Sequence, residues 1–230
     1  MTRAAFPILW EDNHLLAVVK PPGLATMGVP EDRDSLLKLA KQYIKKKYAK
    51  PFNVYLGVVS RLDAPVTGVV LLARTSKAAR RLSEQFRTRA VEKIYWALVA
   101  DAPTPRAAEC VDWLRKHERH RKVLIADRDE PGAQQACLHY QTLRTTRNVC
   151  LLEVRLDTGR KHQIRVQLAA RGLPILGDRK YGSAAPFAAG IALHARRLTF
   201  THPVRKNRVT LAAPVPNSWQ RYGVLPRSTT

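Results

Sequence analysis

Acidic residues, cysteines and long apolar runs are all scarce in this chain. Only 18 Asp+Glu stand against 40 Lys+Arg, a net charge of +22 in 230 residues. A surface so depleted of acid attracts phosphate polyanions through counterion release, which makes a nucleic acid the expected partner. The 3 cysteines, Cys110, Cys137 and Cys150, are odd in number and widely spaced. That excludes a disulfide framework and fits a reducing cytoplasm. No stretch reaches the roughly 18 apolar residues of a spanning helix, so no membrane partner is expected. The start, Met1 to Pro7, lacks the apolar segment of a signal peptide. No repeat and no linker interrupts the chain. A hydrophobic content of 45% suits a globular protein. These observations predict a soluble single domain over residues 1–230, with a core at about 8–215 and a peripheral C-terminal tail; a monomer is the expected state.

Strand signals dominate. Ile8 to Val19 reads as two strands about a turn at Glu11-Asp12-Asn13, ended by Lys20-Pro21-Pro22-Gly23. The runs Val54–Val59 and Gly68–Ala73 read as buried strands, and Lys93–Ala100 as another. Cys110 to Glu153 has the pattern of antiparallel hairpins, and Leu193–Thr201 and Arg208–Ala213 close the series. Helical spacing covers Asp34–Tyr48 with Asp34 or Ser35 as N-cap, Ser76–Thr88, and Lys161–Arg171 ahead of Gly172. Lys38, Lys41, Lys45, Lys46 and Lys47 stripe the first helix, as a solvated face or as a track for phosphates. With no regular βαβ alternation, the class is α+β.

Three segments carry chemistry. Asp63 sits between two apolar runs, where a carboxylate is costly unless paired. Arg61, two residues away, lies on the same side of an extended chain, so a structural ion pair is the simplest reading of this segment alone. Asp157 to Leu168 gathers Thr158, Arg160, Lys161, His162 and Gln163 about a glycine-permitted turn that leads into a helix, a place suited to phosphate. Arg165 lies one turn further in and points toward the interior, where it needs a carboxylate. On the third segment Lys93, Tyr95 and Ala97 share one strand face, and small Ala97 leaves room beside Tyr95 for a planar group to stack. His117 and His120 have the spacing of a metal pair, but no cysteine or carboxylate cluster completes a site, so no metal is expected. None of the cysteines has an evident base beside it to make it a nucleophile.

The order of these segments resembles the RluA-type pseudouridine synthases. The resemblance rests on Arg61-Leu62-Asp63 with Gly68–Ala73, then Lys93-x-Tyr95-x-Ala97, then Thr158-Gly159-Arg160-Lys161-His162-Gln163-Ile164-Arg165-Val166. It continues through Gly172–Asp178, Tyr181-Gly182 and Leu193-His194-Ala195, so that it spans roughly residues 8–215. It implies a mixed, mostly antiparallel central sheet with flanking helices and a catalytic cleft. It also implies isomerisation of a specific uridine to pseudouridine in structured rRNA or tRNA, without cofactor or metal.

By the same resemblance Asp63 acts at the ribose, as nucleophile at C1′ or as base in a glycal route. Tyr95 stacks near the base and is the candidate to remove the C5 proton. Arg165 pairs with the aspartate, and Arg61 helps hold the uridine flipped out of its helix. Lys93, Thr158, Arg160, Lys161, His162 and Gln163 are the expected RNA-binding residues. Ser60 stands where the family usually has His, and Val66-Thr67 where Thr-Ser is frequent. No segment precedes residue 8 that could form the small RNA-binding S4 domain of some members; the lysine stripe and Arg115–Lys122 are expected to supply grip instead. The alternative is a non-catalytic RNA-binding or ribosome-assembly protein that keeps the fold. Asp63, Tyr95 and Arg165 together favour the enzyme, because a pure binder needs none of them.

Overall fold

A computed structural model describes residues 5–117 and 122–225. The remainder of the basic stretch, 118–121 with His120, lies outside the described residues. In chain order the elements begin with β1 (Ile8–Glu11), β2 (Leu15–Lys20), α1 (Leu36–Lys47), β3 (Gly57–Val58), β4 (Thr67–Ala73) and α2 (Ser76–Arg87). They continue with β5 (Glu92–Val99), β6 (Ala107–His117), β7 (Lys122–Ala126), β8 (Gln134–Thr145) and β9 (Cys150–Leu156). α3 (Gln163–Ala169), β10 (Leu193–Thr201) and β11 (Arg208–Ala212) complete the set. The class is α+β, as the strand-rich pattern predicts.

The chain divides into two compact units, Met1–Glu92 with Ala195–Pro214, and Lys93–His194 with Val215–Thr230. In the first, β2 pairs antiparallel with β1 and β4, while β3 and β10 also border β4 and β11 pairs with β10. All seven residues of β4 are buried. Strand alternation explains how. Val69, Leu71 and Ala73 join Leu15 and Ala17 in one apolar cluster with Ala78 and Leu82 of α2. Val70 and Leu72 join Leu16 and Val18 in another, with Leu36, Ala40, Tyr43 and Ile44 of α1. The sheet is therefore covered on both faces, and its central strands must be apolar at every position.

Both helices start on a side-chain cap. Ser35 accepts from the Lys38 N–H of α1, and Thr75 from the Ala78 N–H of α2. Lys41, Lys45 and Lys46 are exposed on α1, whereas Lys47 reaches the Glu11 carboxylate at 2.8 Å. The run Val54–Val59 forms less strand than expected, since only Gly57 and Val58 find ladder partners on β4. Val54 and Leu56 are still buried against the α1 side, which explains why the run reads as apolar.

Gly68 opens β4 at φ +117°, and a Cβ there would stand 2.3 Å from the Ala195 carbonyl oxygen and 2.6 Å from its nitrogen. Backbone cannot yield to a methyl group, so Gly68→Ala is expected to cost about 2–5 kcal/mol, from overpacking and left-handed strain together. Gly132, at φ +80° with nothing within 4 Å of a Cβ, separates the two causes. Urea midpoints should fall much further for Gly68→Ala than for Gly132→Ala; equal losses would refute the close-approach explanation.

In the second unit β6 pairs antiparallel with β7 and β8, β8 with β9, and β9 with β5. α3 contributes Val166 to a cluster with Leu114, Val123 and Ala136. Within the C-terminal segment, expected to be peripheral, one described residue is packed deep in this unit. Trp219 is only 1% exposed, and its ring meets Phe187 and His194 edge-on at 6.2 Å. The proline-rich composition around Trp219 signals lack of regular structure, and a large aromatic ring still gains by burial.

Candidate active site

Asp63 lies in the loop between β3 and β4, and that loop is held by its backbone. The Thr26 hydroxyl donates to the Leu62 carbonyl at 2.9 Å and accepts from the Leu62 N–H at 3.1 Å. The Ala64 carbonyl accepts from the Gly23 N–H at 2.8 Å and from Lys20 Nζ at 2.9 Å. The Val66 N–H closes a turn onto the Asp63 carbonyl at 3.0 Å. Leu62 packs against the α1-side cluster, with Arg61 exposed and Asp63 half-buried on either side of it. The loop is therefore anchored at several backbone groups on both sides of Asp63.

Lys20 ends a strand in the sequence pattern, and the structure gives it a larger task. Its side chain is 0% exposed, and Nζ donates to the carbonyls of Pro21, Leu24 and Ala64 at 2.7–2.9 Å. Burial lowers its pKa to about 8, and the Asp63 carboxylate pulls in the opposite direction. Three carbonyls around one nitrogen match the three protons of an ammonium, so the charged form is the one this cage is built for. The signal was a lone charge ending the run Leu15–Lys20. Ser60 stitches the same loop to β4: its Oγ accepts the Leu71 N–H at 2.9 Å.

Tyr95 and Arg165 belong to the second unit. Tyr95 is half-buried on β5, opposite Val154 of β9, between buried Lys93 and fully buried Ala97. Lys93 Nζ donates to the Thr158 carbonyl at 3.3 Å. Arg165 is 5% exposed and forks onto Asp178, Nε to Oδ2 at 2.6 Å and Nη2 to Oδ1 at 2.8 Å. Its guanidinium carbon stands 5.0 Å over the Tyr181 ring. The expected inward-pointing arginine thus meets a carboxylate 13 residues further on, one that sequence spacing did not single out.

Tyr181 extends the arrangement. Its hydroxyl accepts the Val123 N–H at 3.0 Å and shares a 2.7 Å hydrogen bond with His162 Nδ1. His162 adopts the left-handed conformation, φ 54° and ψ 17°, which starts α3 two residues later than its sequence predicts. Thr158 and Gln163, expected as RNA contacts, are instead buried and committed to this turn. Thr158 Oγ1 donates to Gln163 Oε1 at 2.8 Å, and that oxygen also accepts the Arg160 N–H at 3.0 Å. Gln163 Nε2 donates to the Cys137 carbonyl. Gly159, Arg160 and Lys161 are left exposed at the crest. Lys180 has its pKa lowered by burial and then by the charges of Arg165, Lys161 and Lys122, which records how closely cations are gathered on this unit.

Residues 14–170 match the family model for RNA pseudouridylate synthases. The chain belongs to that family. It is 34% identical to the dual-specificity RNA pseudouridine synthase RluA of Escherichia coli K12, over 90% of this chain and 92% of that protein. It is 35% identical to the ribosomal large subunit pseudouridine synthase D of Xanthomonas campestris, over 93% of this chain but 67% of that protein. Among solved structures, human RNA pseudouridylate synthase domain containing 4 superposes with a TM-score of 0.77 at 28% identity, covering 94% of this chain and 92% of that one. The chain is therefore an RNA pseudouridine synthase, an isomerase, and the non-catalytic alternative is set aside. No helix among the described residues is long and apolar enough to cross a membrane.

Proposed function

We propose that this synthase isomerises a specific uridine in structured ribosomal or transfer RNA, with Asp63 acting at the ribose. The supporting observation is the loop of Asp63. Thr26 and Lys20 hold its backbone through part-buried hydrogen bonds, while Asp63 itself stays half-buried, within reach of a nucleotide. One relative is named for the large ribosomal subunit and another for dual specificity on RNA, which supports an RNA substrate. The reaction breaks the bond from C1′ to N1, forms one from C1′ to C5, and moves a proton from C5 to N1. It is redox-neutral, so a carboxylate serves either as nucleophile at C1′ or as base in a glycal route, and no cofactor is called for. Tyr95 removes the C5 proton, and Arg165, fixed by Asp178, is the basic residue of the site.

Arg61, Arg160, Lys161, His162 and Lys180 contact the RNA, and Lys93, Thr158 and Gln163 hold the turn that presents them. Flipping the target base costs a few kcal/mol, which phosphate contacts offset. The protein acts as a cytoplasmic monomer. Its 3 cysteines are free, as that compartment requires.

Tritium release from C5-labelled total bacterial RNA tests the activity. RNA bound tightly with no pseudouridine formed would sink the reading, and comparing pseudouridine maps of a deletion strain and its parent assigns the RNA class. Four phosphate contacts, from Arg61, Arg160, Lys161 and Lys180, predict a log–log salt slope of affinity of about −3. A flat salt dependence would contradict the basic-surface argument.

A further inference from the structure

Outside this chemistry, a second group of reactive side chains lies on one face of the second unit's sheet. Glu109 of β6 faces His139 of β8 across an antiparallel pair. Cys137 precedes His139 by two residues, so both project to that same face. Asp157 follows β9, and its N–H donates to the Cys137 carbonyl at 3.2 Å, which sets it across from the thiol. Four side chains from three strands thus converge, although 48 residues separate the first from the last. Glu109, Cys137 and His139 have their ligand atoms within 4.8 Å of one another.

The spacings have the dimensions of a coordination shell. Cys137 Sγ is 3.3 Å from Glu109 Oε1 and 3.5 Å from Asp157 Oδ2. His139 Nε2 is 3.0 Å from Asp157 Oδ2 and 3.8 Å from Glu109 Oε1. Tetrahedral zinc, with bonds of about 2.0 Å to oxygen and nitrogen and about 2.3 Å to sulfur, has edges of about 3.3 Å between O and N and about 3.5 Å between S and O. The two N–O separations bracket their edge, and the two S–O separations lie at or just below theirs.

We propose that Glu109, Cys137, His139 and Asp157 form a tetrahedral zinc site that clamps β6, β8 and β9. The donor set is one that zinc accepts, combining a thiolate, an imidazole and carboxylates. With four protein ligands the shell is closed, so the ion braces the sheet and takes no part in the isomerisation. Charge supports the assignment. A chain with a net charge of +22 here sets two carboxylates against one thiol. One S–H proton serves two acceptors poorly, and a divalent cation between them serves both. Binding replaces that proton: a Zn–S bond forms, the thiol proton leaves to solvent, and His139 ligates through Nε2 with its proton on Nδ1. The histidine pair considered from the sequence, His117 and His120, has no part in it.

Cobalt provides the direct test. The full chain, reduced and stripped with a chelator, is titrated with Co²⁺ and then with Zn²⁺. One equivalent of Co²⁺ should produce a thiolate-to-cobalt charge-transfer band in the near ultraviolet with tetrahedral d–d bands, and Zn²⁺ should bleach both. Cys137→Ser should lose the charge-transfer band, and His139→Ala and Asp157→Asn should weaken binding at least tenfold. Zinc at a hundredfold excess over Kd should raise the Tm of the wild type by about 5–10 °C and leave Cys137→Ser unmoved. Absence of the charge-transfer band in wild type, its persistence in Cys137→Ser, or an unchanged wild-type Tm with zinc would each overturn the proposal. If the serine variant does not fold, the wild-type spectrum and Tm decide alone.

Discussion

Replacing Asp63 with Asn should abolish pseudouridine formation while leaving RNA affinity within a factor of about three, well short of the tenfold change that 1.4 kcal/mol represents. Two features lead to that result. The amide keeps the shape of the side chain but neither its charge nor its capacity to attack or deprotonate the ribose. The loop itself is held by Thr26, Gly23, Lys20 and the Val66 N–H through backbone atoms, so it survives the change. Affinity rests on phosphate contacts to cationic side chains, which the substitution does not touch. Single-turnover tritium release with filter binding on the same preparation checks both halves. Residual turnover above about 1% of wild type would show that the carboxylate is not the reacting group; a large loss of affinity would show that it anchors RNA. Because the Asp63 charge raises the Lys20 pKa against burial, the variant should also titrate Lys20 below its present value of about 8.

The largest effect on stability is expected at Asp178. Asp178→Ala takes a bidentate carboxylate, itself 1% exposed, from the Arg165 guanidinium, which is 5% exposed. Removing one partner of a buried ion pair costs about 3–5 kcal/mol, chiefly because the remaining charge has lost its compensation. Activity should fall with it, since Arg165 loses the fork that aims it. A double variant, Arg165→Met with Asp178→Leu, separates the two roles. It should recover much of the stability by replacing a buried pair with apolar bulk, and recover none of the turnover. Arg165→Lys should not rescue either, because an ammonium cannot make the bidentate contact. Urea unfolding and tritium release on the three variants give the comparison. A cost below about 1 kcal/mol for Asp178→Ala would mean that the pair is not desolvated.

How far these residues were visible beforehand differs from one to the next. The run that became β4 was legible because both of its faces are buried, and burial on two faces leaves an unbroken apolar signature. Val54–Val59 carries the same signature but forms only two residues of strand. Apolarity reports burial, whereas a ladder also needs a neighbour with free backbone groups. Arg165 could be read as inward-pointing from its place on the helix, and Asp178 could not be named as its partner. Thr158 and Gln163 look like RNA contacts by residue type, yet the turn they stabilise consumes their hydrogen-bonding groups.

The sequence by itself determined the charge that selects a polyanion, the α+β class, and the ordered motifs that identify the reaction family. Those depend on composition and local period, which the chain carries wherever it goes. Only the tertiary structure decided which polar groups are buried and what satisfies them. Lys20 became the clamp of the Asp63 loop, Asp178 the partner of Arg165, and Glu109, Cys137, His139 and Asp157 a single cluster. The reason is physical: a polar side chain is satisfied by whatever stands opposite it, and strand register and chain crossing, rather than neighbours in sequence, choose that partner.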